Sequence, residues 1–199
     1  MKRLVSLLTV IALAACAESS GPGGVDDLSL SIMQHRGTAP PLLSAQDSFY
    51  AKVGDGRELR LYYQGAAPGD TGEEFLRFEV PGNGLYRKPD GSAFQSSDSI
   101  LITVTVVDPD RFLFEFAPAG LQFNPQNAAR LKIHYEHGEH DFDDDGDEDE
   151  EDDDLETQLD LWYRQSAGAL WFRVGSVKFE ESDELDALIR NFSQYAVAW

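Results

Sequence analysis

From about Asp47 onward, apolar and polar positions alternate with a period of two, the spacing of strands with one face turned to a core. Phe49, Ala51 and Val53 alternate, Asp55-Gly56 follows, and Leu59, Leu61 and Tyr63 resume, which predicts a hairpin with a tight turn. Leu76, Phe78 and Val80 form the next series and stop at Pro81-Gly82-Asn83-Gly84. The clearest strand runs from Ser99 to Val107, with Ile100, Ile102, Val104 and Val106 on one face. Phe112, Phe114 and Phe116, then Leu131, Ile133 and Tyr135, then Leu159, Leu161 and Tyr163 repeat the arrangement. After a turn at Ser166-Ala167-Gly168 come Leu170, Phe172 and Val174, followed by Val177 and Phe179. No segment before Asp183 has a helical period. Glu184 to Ile189 has the propensity for a helical turn, but strand or extended chain is favoured, because Ala196-Val197-Ala198-Trp199 needs burial and a terminal strand supplies it. Many short strands punctuated by Gly, Pro, Asn and Asp predict an all-β antiparallel sandwich over residues 47–199.

Charge is concentrated in one place. The chain has 199 residues and a net charge of −20, and 14 of its 36 acidic residues lie between Glu139 and Glu156, where there is no Lys or Arg. Self-repulsion predicts a solvated, disordered loop at 139–156 inserted between strands. So acidic a chain repels nucleic acid. Within the loop, Asp141-x-Asp143-x-Asp145-Gly146 matches the start of an EF-hand calcium loop, with Asp147 at its seventh position and Asp152 at its twelfth. The match lacks an apolar residue at position eight, has Asp rather than Glu at position twelve, and shows no flanking helices. A loosely held calcium ion and a disordered loop without a site are therefore alternative readings. His134, His137 and His140 are spaced by three. Residues three apart on a strand point to opposite faces, so a zinc site there requires a bulge. Trp162 and Trp171 fall on the faces opposite the aliphatic series and, with Trp199, are candidates for a carbohydrate-stacking platform or for a second buried layer.

The N-terminus carries an address. Met1-Lys2-Arg3 precedes an apolar run from Leu4 to Ala15, the n- and h-regions of a secretory signal, too short to span a bilayer. Leu13-Ala14-Ala15-Cys16 resembles the bacterial lipobox, and Cys16 is the only cysteine in the chain. The resemblance implies a signal peptide over 1–15, a diacylglycerol on Cys16, and a flexible tether over 16–46 that opens with Glu18-Ser19-Ser20-Gly21-Pro22-Gly23-Gly24. By the sorting rule of such lipoproteins, Ala17 in place of Asp favours the outer membrane.

Phe78-Glu79-Val80-Pro81-Gly82 resembles the opening strand of the ZU-five domain, the module of ankyrins, zonula occludens proteins and netrin receptors. Asp98 to Val106, Phe116 to Phe123, Leu131 to Tyr135 and Asn191 to Val197 are similar, in order, to its later strands, so the likeness spans about 73–199. It implies a sandwich that binds protein partners. In some ZU-five proteins a closing His-Phe-Ser cleaves itself. Here the positions are Asn191, Phe192 and Ser193, and Asn191 cannot accept and return a proton, so no self-cleavage is expected. The sequence thus predicts a non-enzymatic, membrane-anchored interaction or structural module with an envelope or surface protein partner, or alternatively a calcium-responsive or carbohydrate-binding one.

Overall fold

The computed structural model describes residues 23–199. The signal peptide expected over 1–15 and the expected lipidation site Cys16 lie outside the described residues. In chain order the elements are β1 (Gln46–Lys52), β2 (Arg57–Gln64), β3 (Thr71–Val80), β4 (Leu85–Arg87), β5 (Ser99–Asp108), β6 (Leu113–Ala117), β7 (Gln122–Phe123), β8 (Ala129–His134), the helix α1 (Glu150–Glu156), β9 (Asp160–Arg164), β10 (Phe172–Arg173), β11 (Ser176–Phe179), β12 (Glu184–Ile189) and β13 (Gln194–Ala198). They build three antiparallel sheets: six strands ordered β1-β5-β6-β13-β9-β10, five ordered β11-β12-β8-β3-β2, and the pair β4-β7. The protein is an all-β domain.

The inward series predicted for β2, β3, β5, β6 and β8 are buried, and they meet between the two larger sheets. Phe78 of β3 lies 5.2 Å from Phe116 of β6, ring centre to ring centre. Phe192 joins both, at 5.5 Å and 5.3 Å, and reaches Phe123 of β7 at 5.0 Å. One aromatic residue therefore links all three sheets. Glu184–Ile189 is a strand, as favoured, paired with β8 along its whole length.

Four expectations are corrected. The turn after β1 is tight, with Gly54 at φ +88°, but β1 and β2 do not form a hairpin. β1 pairs with β5 and β2 with β3, so the turn carries the chain from one large sheet to the other. Local turn chemistry is the same in both cases, which is why the pattern did not distinguish them.

Residues 23–46 are not a flexible tether. Val25 pairs with Trp171, Ile32 with Ala198, Gln34 with Arg111, and Leu42 with Tyr63. Leu30 and Ile32 cover the outer face of the six-stranded sheet, where Leu113, Trp162, Trp171, Ala196 and Ala198 form a second small core. Met33 is fully buried in the main one. This strap holds because apolar side chains on an outer sheet face need a cover.

That cover inverts the phase of β10, and polar anchoring inverts that of β11. Trp171 is buried, while Leu170, Phe172, Val177 and Phe179, whose alternation pointed to the core, are exposed. Ser176 and Lys178 take the inward positions instead, tied to Asp160 and to the Glu156 carbonyl.

The acidic segment is not disordered. Asp149 caps α1 by accepting from the Glu151 N–H (2.7 Å), and Asp152 accepts in return from the Asp149 N–H (3.0 Å). Glu150, Glu151, Asp152 and Asp153 sit in the first turn, where the exposed N–H groups favour negative charge. Phe142 is buried edge-on against Trp199 (4.8 Å), Leu155 packs on the core, and Glu156 accepts from the Tyr135 hydroxyl (2.8 Å). Two apolar anchors and satisfied N–H groups outweigh the repulsion.

Candidate functional site

The acidic loop leaves β8 at His134 and returns at β9. Its spacing brings Asp141, Asp143 and Asp145 together, with one oxygen from each within 4.8 Å of the others. The turn is made by Asp144 at φ +61° and Gly146 at φ +100°, a conformation that suits glycine. Asp141 accepts from the N–H groups of Asp145 (3.1 Å) and Gly146 (3.0 Å), and Asp143 accepts from Asp145 (3.1 Å). Asp147 and Asp152 do not join this group. Asp147 is pushed above the usual carboxylate range by Asp145 and Asp149. Asp152 is buried and spends its oxygens on backbone: Oδ2 on Asp149, Oδ1 on Phe142 (2.6 Å) and Asp143 (3.3 Å). These bonds hold its pKa below the ordinary value, that from Asp149 first.

The three histidines do not converge. His134 Nε2 lies 3.7 Å from Glu74 and 3.8 Å from Glu184. His137 contacts Glu73 (2.9 Å) and Glu136 (3.3 Å), while His140 packs between Tyr135 and Phe142. Glu73, Glu136 and His137 form a second cluster of possible ligands. Hydrogen bonding between the two glutamates raises Glu136 and lowers Glu73, as when two carboxyls share a proton. Glu73 was not singled out in the sequence, since nothing there marks a residue 64 positions from its histidine.

Asn191, Phe192 and Ser193 sit at the turn into β13 and are engaged in packing. Ser193 is buried and its hydroxyl donates to the Arg164 carbonyl. The Phe192 carbonyl accepts from the Gly120 N–H (3.1 Å), with Gly120 at a positive φ of +83°. Asn191 Nδ2 donates to the Tyr163 hydroxyl (3.0 Å), and the Asn191 carbonyl accepts from Tyr195.

Trp162 and Trp171 are buried in the second core and offer no exposed ring face to a sugar. Asp27 of the strap accepts from Trp171 Nε1 (2.6 Å) and from Arg164, whose guanidinium lies 4.4 Å over the Trp171 ring. Carbohydrate stacking on these two indoles is thereby corrected to packing.

Two surfaces remain. The outer face of the five-stranded sheet is a ladder of ion pairs, Arg60 and Arg77 with Glu74, Lys132 with Glu184, and Arg130 with Asp186. Apolar groups are exposed at its β11 side and, on the other large sheet, along β1 and β5. β1 is an edge strand of seven residues in unbroken register with β5, and its Tyr50 lies opposite Leu101 with both side chains exposed. Val107 is exposed farther along β5. No family model matches this chain, and neither a curated protein nor a solved structure matches it.

Proposed function

We propose that this protein is a non-enzymatic interaction module of the bacterial envelope or cell surface. It is held to the outer membrane by a diacylglycerol on Cys16 and built as a ZU-five-like sandwich, and it binds an extended segment of a protein partner by strand addition to β1. The observation that carries the reading is the edge itself. β1 has neither bulge nor proline, it carries charge only at Asp47 and Lys52, and it presents Tyr50 beside Leu101. Such an edge leaves a row of backbone donors and acceptors unpaired and serves as a template for another chain. The order of the matching segments from Phe78 to Val197 supports the ZU-five likeness, and Leu13-Ala14-Ala15-Cys16 supports the anchor. A photo-crosslinking residue at Tyr50 in cells is expected to trap one envelope protein, and the same residue at Glu79 is not. Equal products from both positions, or none, would overturn the docking edge.

A second reading, a module that responds to calcium, is favoured by the convergence of Asp141, Asp143 and Asp145 and by the repulsion on Asp147 that a cation would relieve. Calorimetric titration with calcium is expected to give saturable heat that the double variant Asp143→Asn/Asp145→Asn loses. Equal heats would remove it.

A further inference from the structure

The two large sheets part between β10 and β11, where a groove of ≈ 450 Å³ is lined by Tyr163, Phe172, Val177, Leu188, Arg173 and Arg190 among others. Leu170, Phe172, Val177 and Leu188 are 48, 42, 60 and 56% exposed. Val177 and Leu188 lie on the outward face of neighbouring strands and are diagonal partners, since Val177 is opposite Asp186. Phe179 continues the strip and ends it, because Glu180 and Glu181 follow. Arg173 is already paired with Asp160 (3.6 Å), whereas Arg190 has no carboxylate within 4.0 Å among the described residues, so Arg190 is the cationic group this corner leaves open.

The chain approaches this corner from its N-terminal side. A Cβ on Gly24 would lie 2.8 Å from Leu170 Cβ and 2.8 Å from Phe172 Cζ, so the backbone runs directly over these two residues before Val25 pairs with Trp171. Ala17 to Gly23 is seven residues, which reach at most about 25 Å when fully extended. In the six-stranded sheet β10 and β1 are opposite edges, about 24 Å apart at the usual strand spacing. A lipid on Cys16 would therefore attach the body at its β10 edge, the edge opposite β1.

We propose that the β10–β11 corner rests on the bilayer itself, with Leu170, Phe172, Val177 and Leu188 in the headgroup layer and Arg190 toward a lipid phosphate. The inference rests on the proposed lipidation of Cys16, and it gives that anchor a fixed orientation: β1 faces outward, free for its partner.

The test uses full-length lipidated protein in vesicles of phosphatidylethanolamine and phosphatidylglycerol, with nitroxide labels on Phe172→Cys, Val177→Cys and Tyr50→Cys. All three variants are expected to float with the vesicles. Labels at 172 and 177 should collide with oxygen, relative to a water-soluble nickel chelate, severalfold more than the label at 50. Flotation with equal, water-like ratios at all three overturns the orientation and leaves the anchor standing. Immobilised labels at 172 and 177 without oxygen enrichment assign the corner to a protein or a second copy, which also overturns it. Protein that does not float and lacks the mass of a lipid overturns the anchor and the orientation together. Hydrogen exchange on the unlabelled protein is independent of any variant's folding: on vesicles, amides of residues 170–179 should slow while those of β1 do not, and unchanged exchange at 170–179 counts against the proposal.

Discussion

Replacing Phe192 with alanine removes the ring that links the three sheets. Its side chain is 2% exposed and lies within 5.5 Å, centre to centre, of Phe78, Phe116 and Phe123. Neighbouring rings cannot collapse into the space without leaving one another, so both transfer and cavity terms apply, and the loss should be about 3–5 kcal/mol. For a domain of this size that lowers the thermal midpoint by roughly 6–20 °C. Urea unfolding followed by fluorescence of the buried Trp162 and Trp171 measures it, with Phe179→Ala as the exposed control, expected within about 0.5 kcal/mol of the parent. A Phe192→Ala loss below about 1 kcal/mol, or one matched by Phe179→Ala, would refute the picture of one ring joining three sheets.

His35 donates through Nδ1 to the Pro109 carbonyl (2.9 Å), which cannot donate back, so Nε2 accepts from the Tyr63 hydroxyl (3.0 Å) and the neutral ring fits this site. Burial lowers its pKa. Stability from this group is complete above 6.5 and falls as pH drops through the lower folded value, so unfolding midpoints should decline on acidification in wild type and less steeply in His35→Phe. Asp27→Ala leaves the Arg164 guanidinium and the Trp171 N–H without their strap partner and should cost about 1–3 kcal/mol, with faster exchange at the Val25 and Ser31 amides. Asp152 has a lowered pKa, so its contribution is present above 3.8 and is lost as pH falls through the folded value; Asp152→Ala at neutral pH should abolish exchange protection in α1 while leaving β5 unchanged. Intact-mass measurement should find the polypeptide uncut at Ser193, and loss of a fragment from Ser193 to Trp199 would contradict the structural role given to that hydroxyl.

Periodicity revealed β8 because its faces differ in chemistry as well as position, Leu131 and Ile133 against Lys132 and His134, and β5 because the threonines Thr103 and Thr105 interrupt its outer face between Leu101 and Val107. At β10 both faces carry apolar groups, Trp171 and Phe172, and alternation alone says that faces differ, not which one is covered. The choice was made by Leu30 and Ile32, which arrive from a segment whose composition reads as linker. The helix α1 was hidden for a related reason. Its order comes from Phe142, Leu155 and the backbone bonds of Asp152, while its composition advertises only charge. Of the candidate cation ligands, Asp141, Asp143 and Asp145 converge as their alternate spacing implied. Asp152 does not, because a buried carboxylate beside unpaired N–H groups is captured by them.

Mechanical load gives the strap another meaning. Tension applied at the N-terminal end reaches the paired backbone bonds between Val25 and Trp171 before any strand of the larger sheets. Peeling the eight residues from Val25 to Ile32, short of the buried Met33, would pay out about 27 Å of extra line. The strap is thus a length of slack stowed against the body, released under pull while the barrier to tearing the sheets remains untouched.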